Sequence, residues 1–445
     1  MRDRWLWLAT LAYAALLTWL GAIKYAAHRN LVDFGIFEQT AASAFGCFCN
    51  AVEGSHWAFH FSPILYVAGA AVALWHSPLA LIALQALAGA LTIPPIYALV
   101  LRKRGDVGSA RLAGAVVLLY PPLAGLIFGD FHENGFAPAA VAWALYLFDA
   151  GRLWWSVLAA LAAIAVKEDQ AAFIAVAGFL GWWRFRGTMP GLAALAVAVV
   201  AALAFAQYFE HVAPHAAVLA SWQPVRFYAW TAQDVRALFP AGLAQRAGFL
   251  VLVFAPLLFL PFRSRMLWLA AAPLGEVLLS RMPTTFTLGS HYAGAWLGYV
   301  LAAFAFAVRA LPPARGRVLL WWCIGLCVVE LAVADPLHPG LNLRAPQSRD
   351  AALDRYLRAL PPNLDVATQE EAYTHLALRD PNATVLPERA GTEPNACYLL
   401  IDRAFPDSPR LQEYGTAIAA LVARGRYAPA GRAGGIELYR RTGCR

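Results

Sequence analysis

The residues best suited to chemistry are few, and they recur at the ends of long apolar runs. Asp33 lies in V-D-F-G-I-F-E-Q, where Phe34, Ile36 and Phe37 suit a membrane interface and would hold the carboxylate in place. A carboxylate so placed can take a proton from a hydroxyl acceptor, and it can equally cap a helix. His60 stands in F-H-F-S-P, and the run G-D-F-H-E-N-G-F-A-P sets Asp130, His132 and Glu133 between two apolar walls, with Gly135 and Pro138 shaping the turn. Three oxygen or nitrogen ligands can hold a divalent metal ion, can orient an acceptor by hydrogen bonds, or can form a solvated turn. Lys167, Glu168 and Asp169 read either as a polar turn or as part of a substrate-positioning network. Arg226, Arg281 and His291, with Tyr292 beside the last, supply the charge and donors that hold a phosphate. Such charge favours a departing phosphate in the transition state. The chain carries no P-loop, Rossmann fingerprint, H-E-x-x-H or nucleophile elbow.

The elements that must position these groups are membrane helices. Of the 445 residues, 60% are hydrophobic and 14% charged, against about 25% charged in an ordinary soluble domain; mean hydropathy is +0.54. Apolar blocks of about 15 to 22 residues recur as far as Pro336, the length that crosses a hydrocarbon layer about 30 Å thick. The net charge of +8 does not point to nucleic acid, because the basic residues cluster at the ends of apolar blocks, where they set topology. Arg2 and Arg4 place the N-terminus in the cytoplasm, and residues 1–25 read as a retained first helix rather than a cleaved signal. The clusters Arg102 to Arg104, Arg184 to Arg186, Arg263 with Arg265, and Arg309 to Arg317 all fall inside if residues 61–75 lie along or dip into the outer leaflet. That stretch is short and opens with Ser62-Pro63. The expectation is a polytopic α-helical membrane protein of about 11 transmembrane helices, with a small C-terminal α/β extracytoplasmic domain. Residues 1–335 would form the membrane part, with an outer-face loop over 27–78, and 336–445 the soluble part.

In the tail, residues 350–360 and 414–424 have helical periodicity, and 396–401 and 435–440 read as strands. Cys47, Cys49, Cys397 and Cys444 fall on the outer side, where disulfides persist. The spacing of Cys47 and Cys49 is tight for an ordinary disulfide, so either could pair with the tail. Cys323 and Cys327, one helical turn apart in an apolar run, read as small packing residues.

Under this threading nearly all the unusual polar groups share one face, which makes an outer cavity the default site. Taken together, D-F-G-I-F-E-Q at 33–39, H-F-S-P at 60–63, D-F-H-E at 130–133, K-E-D at 167–169 and C-Y-L-L-I-D at 397–402 resemble the DUF2079 family of bacterial and archaeal membrane proteins. That family in turn looks distantly like glycosyltransferases of the GT-C type, among them protein mannosyltransferases and aminoarabinose transferases. The resemblance implies a sugar moved from a polyprenyl-phosphate donor to a hydroxyl acceptor at the extracytoplasmic face of the cytoplasmic membrane. It gives Asp33 the base role, although Phe34 stands where those enzymes commonly carry a second acidic residue. Asp130, His132 and Glu133 would then position the acceptor, and Arg226 with Arg281 or His291 would hold the donor phosphate. Two other functions fit a membrane protein with this polarity: a transporter or flippase of a lipid-linked substrate, and a noncatalytic envelope assembly protein. A translocation route needs polar groups through the bilayer depth, where only Glu276 and Glu330 stand out.

Overall fold

A computed structural model of the chain describes residues 3–104, 106–208, 210, 228–229, 231–334, 337, 343–387, 392–405 and 408–444. Its helices run in the order α1 (Arg4–Ala26), α2 (Val32–Ala42), α3 (Leu65–Leu74), α4 (Pro78–Ala90), α5 (Ile93–Arg104), α6 (Val107–Leu119), α7 (Pro121–Phe128), α8 (Ala137–Asp149) and α9 (Leu153–Ile164). They continue with α10 (Glu168–Phe185), α11 (Met189–Gln207), α12 (Ala232–Phe254), α13 (Ala271–Leu279), α14 (Ala293–Val308), α15 (Pro313–Val333), α16 (Ser348–Ala359), α17 (Glu370–Leu376) and α18 (Pro409–Ala423). The chain divides into two compact units. One comprises Met1–Thr18, Trp57–Leu65 and Ala83–His338, the other Trp19–His56, Tyr66–Ile82 and Pro339–Arg445.

The protein is mostly helical and has several helices fit for a multi-pass membrane protein, but not the expected number. Among the described residues four are long and apolar enough to cross: Arg4–Ala26, Pro78–Arg102, Met189–Gln207 and Pro313–Val333. Two bent pairs, Val107–Leu119 with Pro121–Phe128 at 48° and Ala232–Leu238 with Gly242–Leu257 at 80°, raise the total to six if each is one span. The figure of about 11 is therefore corrected to four, or up to six. The reason is length. Helices α8, α9, α13 and α14 have 13, 12, 9 and 16 residues. At a rise of about 1.5 Å per residue, the longest of these reaches about 24 Å, short of the roughly 30 Å hydrocarbon layer. Helix α10 has 18 residues but carries Glu168, Asp169 and Arg184. After α12, Leu258 and Phe259 take left-handed φ values of 50° and 53°, and the chain passes through 3-10 turns up to Ala270 instead of one straight helix. Residues 61–75 form only the ten-residue α3, too short to cross.

In the first unit α14 is the central element. It is apolar all round and buried on nearly every side, which suits a helix enclosed by others. Its neighbours come close at two glycines. A Cβ on Gly294 would overlap the backbone of Asn134, and one on Gly298 would lie 2.8 Å from the carbonyl oxygen of Pro138 on α8. At the end of α8, Asp149 is bound by Arg102 of α5 at 3.0 Å and by Arg309, just after α14, at 2.7 Å. Both arginines belong to basic clusters that the positive-inside rule puts on one side of the membrane, and they share one carboxylate.

The second unit is built on a five-stranded mixed sheet. Calling the short pair Cys49–Asn50 and Gly54–Ser55 β1 and β2, the sheet strands are β3 (Val366–Thr368), β4 (Thr384–Val385), β5 (Tyr398–Asp402), β6 (Tyr427–Ala433) and β7 (Ile436–Arg441), in the order β4-β3-β5-β7-β6. Strand β3 is parallel to β4 and β5, while β7 is antiparallel to β5 and β6. Alternation along β5 sends Leu400 to one face, with Leu353, Leu357, Tyr373 and Phe405, and sends Leu399 and Ile401 to the other, with Tyr414, Ile418 and Leu421 of α18. Helix α2 joins the first of these cores through Ile36, and Gly35 lies so close to the Tyr373 ring that a Cβ there would overlap it. Cys397 bonds to Cys444. Cys47 and Cys49 bond to each other and not to the tail, because left-handed Phe48 (φ 50°) turns the chain back and brings their Cα atoms to 5.3 Å. Cys323 and Cys327 are free and buried in α15.

Candidate functional site

The site grows from one glutamine. Gln85, buried on α4, sets its amide nitrogen among the carbonyl oxygens at the end of α7, 3.1 Å from that of Ile127 and 3.3 Å from those of Leu126 and Asp130. Its amide oxygen accepts the N–H of His132 at 2.8 Å. An unpaired polar group in an apolar helix is costly, and the carbonyls freed at a helix end are the partners that satisfy this one. The result fixes the turn before the 3-10 segment Glu133–Phe136, with Pro138 starting α8.

Around that turn the ionisable groups meet. Glu133 has no exposure; its Oε2 lies 2.9 Å from His132 Nδ1 and its Oε1 lies 3.5 Å from Lys167 Nζ. Lys167 holds an extended conformation at the start of α10. Glu168, the first residue of that helix, lies 2.9 Å from His60 Nδ1 and accepts the N–H of Phe61 at 3.0 Å. The Ile64 N–H donates to the Ala165 carbonyl at 2.8 Å, so the segment around His60 is pinned beside the same helix start. A carboxylate in the first turn also gains from the helix dipole. The His132 and His291 rings stack with centroids 3.9 Å apart, and Tyr292 lies 4.2 Å from His291.

The electrostatics follow from burial opposed by neighbours. Burial works against charge on Lys167, but Glu133, Glu168 and Asp169 outweigh it and hold its pKa above the usual lysine value. Burial likewise opposes the Glu133 carboxylate, and His132 and Lys167 outweigh it, so its pKa lies well below the ordinary range. Burial pushes His132 down, and burial together with the neighbouring His132 ring pushes His291 well below its usual value. The arrangement thus offers a buried ionised Lys–Glu pair, a histidine backed by a carboxylate, and two stacked imidazoles kept neutral. Such a set can orient a hydroxyl, move a proton or bind an anion's oxygens.

Of the residues singled out from sequence, His60, His132, Glu133, Lys167, Glu168, His291 and Tyr292 fall in this neighbourhood. Asp130 sits half-buried in the same turn. Arg281 is half-exposed and paired with Asp234. Arg226 lies outside the described residues. Asp33 belongs to the other compact unit, in the first turn of α2, whose N-cap is Leu31. Sequence reasoning missed Gln85, although a glutamine inside an apolar helix is itself a signal. It also missed the bond from the Tyr228 hydroxyl to Glu276, 2.8 Å long.

A cluster geometrically suited to metal coordination exists, but not at Asp130, His132 and Glu133. Among the described residues the set whose ligand atoms all converge within 4.8 Å is His28, Asp354 and His375, in the second unit. That unit also has a concavity of about 990 Å³, lined by Gln39, Asn50, Asp365, Asn382 and Asn395 among others; it contains none of the ionisable groups of the Glu133 cluster.

No curated protein matches the sequence. Among solved structures, ArnT from Cupriavidus metallidurans bound to undecaprenyl phosphate is similar, with a TM-score of 0.54 at 14% identity over 99% of this chain and 98% of that one. The apo state of the same protein gives 0.55 at 13% identity over 97% of each chain. At that identity the likeness is one of fold, a distant structural resemblance to enzymes of the GT-C type. The family described as "Predicted membrane protein (DUF2079)" matches residues 28–438. With all five quoted motifs and most of both units inside that match, the chain belongs to the DUF2079 family.

Proposed function

We infer that the protein is a membrane transferase that moves a sugar from a polyprenyl-phosphate donor to a hydroxyl of a lipid, glycan or protein. The observation that carries this reading is the buried set of His60, Glu168, Lys167, Glu133 and His132 at helix ends. It occurs in a chain that superposes over nearly its full length on ArnT, a protein seen bound to undecaprenyl phosphate. A lipid-linked donor brings its phosphate to the membrane surface, so such an enzyme needs no nucleotide-binding loop. Residues 1–335 are assigned to the membrane and 336–445 to the extracytoplasmic side, with the N-terminus in the cytoplasm.

In this reading Asp33 takes the proton of the acceptor hydroxyl as its oxygen attacks the anomeric carbon. The bond from that carbon to the phosphate oxygen breaks, and polyprenyl phosphate leaves with the electron pair. Asp130, His132 and Glu133 orient the acceptor, while Arg226 with Arg281 or His291 neutralises the departing phosphate, a role that grows as charge develops.

The test is reconstitution of the full chain in liposomes with undecaprenyl-phosphate sugars and extracts of candidate acceptors. Sugar transfer by the wild type is expected, with a loss of about 100-fold or more in Asp33→Asn, the range for removal of a general base. Transfer unchanged in Asp33→Asn would remove Asp33 from the chemistry. A wild-type protein that neither transfers sugar nor binds undecaprenyl phosphate would end the transferase reading.

A further inference from the structure

His28 follows α1 in the left-handed region at φ 53°, and its side chain is fully buried. If closing the helix were the only task at this position, glycine would do it without the cost of a Cβ and without burying an imidazole. The ring therefore calls for its own explanation, and its hydrogen bonds supply one.

His28 Nδ1 lies 2.8 Å from the carbonyl oxygen of Glu371. His375, in the last turn of α17, places Nε2 3.0 Å from the carbonyl oxygen of Tyr25. A carbonyl oxygen only accepts, so each of these nitrogens carries its ring's hydrogen. In neutral rings the remaining nitrogens, His28 Nε2 and His375 Nδ1, are then the ones that present lone pairs. Both face one oxygen, Asp354 Oδ1, at 3.2 and 3.0 Å. The two rings stack with centroids 3.6 Å apart and planes 14° apart, which sets these two nitrogens side by side. Three potential ligand atoms from three separate segments of the chain thus converge within 4.8 Å of one another.

We propose that His28, Asp354 and His375 bind a divalent ion of the zinc class. With metal–nitrogen and metal–oxygen bonds of about 2.0 to 2.2 Å, ligands around a tetrahedral ion lie roughly 3.3 to 3.6 Å from one another, a few tenths of an ångström beyond the 3.2 and 3.0 Å that separate the two nitrogens from Asp354 Oδ1. Two imidazoles and one carboxylate favour zinc and its neighbours over magnesium or calcium, which take oxygen ligands. The carbonyls of Glu371 and Tyr25 are the outer partners that fix each ring's tautomer and aim its lone pair. Asp354 is 27% exposed, so water completes the fourth position. The ligands come from the segment between α1 and α2, from α16 and from α17, all in one compact unit. The ion ties the segment ahead of α2 to the C-terminal sheet domain, a structural role that does not depend on the transferase reading.

Full-length protein, purified in detergent without a polyhistidine tag or chelator, is analysed for metal by inductively coupled plasma mass spectrometry. The expected result is an equivalent of zinc-class metal per chain that is lost in His28→Gln/His375→Gln. Chelator treatment of the wild type should lower its unfolding temperature, and added zinc should restore it. Should the double variant not fold, stripped wild-type protein loaded with cobalt(II) is expected to show the visible absorption of a low-symmetry nitrogen and oxygen site. The same metal content in wild type and variant, or a stripped wild type that takes up no cobalt and gains no stability from zinc, would overturn the proposal. None of these readouts involves sugar transfer, so they stand or fall separately from it.

Discussion

Glu133 Oε1 faces Lys167 Nζ at 3.5 Å, and the carboxylate has no exposure to solvent. Removing one partner of a buried pair leaves an uncompensated charge and costs about 3 to 5 kcal/mol. Lys167→Met is therefore expected to lower the unfolding temperature of the detergent-solubilised protein sharply. Glu133→Gln/Lys167→Met should recover most of the loss. A single variant as stable as the wild type would show that the pair does not hold the turn.

The same pair sets an acid limit. The Glu133 pKa lies well below its ordinary value of 4.5, through His132 and Lys167 acting against burial. A carboxyl with a depressed folded-state pKa contributes stability that is complete above its unfolded value and is lost as pH falls through the folded one. Acid titration from neutrality should leave the wild-type unfolding temperature level down to about pH 4.5 on this account, and then lower it. In Lys167→Met the acid-dependent fall should be smaller, because burial then brings the folded-state pKa of Glu133 closer to its unfolded value; identical profiles would contradict the assignment.

Glu168 holds both His60 Nδ1 and the Phe61 N–H. If the His60–Glu168 pair moves a proton or orients a reacting group, Glu168→Gln and His60→Ala should each reduce transfer by about 100-fold to 10,000-fold. The double variant should fall little further, because groups that act as a unit are not additive. Additive losses would mean that the two residues work independently.

Gly298 admits no side chain beside Pro138 of α8. Gly298→Val forces two helices apart at the most enclosed element of the first unit, and overpacking of this kind costs about 1 to 3 kcal/mol. Thermal unfolding checks it, with Gly275→Ala as the control, since a Cβ at Gly275 meets nothing within 4 Å.

Cys397 and Cys444 close a loop of sequence separation 47, for which loop-closure entropy gives a stabilisation of about 4 kcal/mol. Cys397→Ser/Cys444→Ser should unfold at lower temperature than the wild type. Thiol labelling of unreduced, denatured wild-type protein should reach only Cys323 and Cys327; labelling at Cys47 or Cys49 would contradict the pairing seen here.

How much of this was legible depended on range. The D-F-H-E and K-E-D turns end apolar runs, so hydropathy alone placed Glu133, Lys167 and Glu168 at helix ends, where they meet. The helix expected over 350–360 runs Ser348–Ala359, and the strand expected over 396–401 runs Tyr398–Asp402. Hydropathy does not report breaks: Pro121 after Tyr120, and the left-handed residues after α12, turned apparent spans into bent or short pieces. Strands β3 and β4 have three and two residues, too few to show a period. The Cys47–Cys49 bond depends on the backbone angle of Phe48, which residue spacing does not reveal. His28, Asp354 and His375 are far apart in sequence, and no spacing rule connects them.

Gln85 gives the buried carboxylate an owner outside its own loop. The turn that carries Glu133 hangs from a single amide on α4, whose nitrogen and oxygen grip opposite sides of the bend. A lever of this kind means that a substitution at an uncharged residue on another helix would still misplace the ionised cluster. Gln85→Leu, isosteric enough to pack, would cut the string and leave the bend to find its own shape.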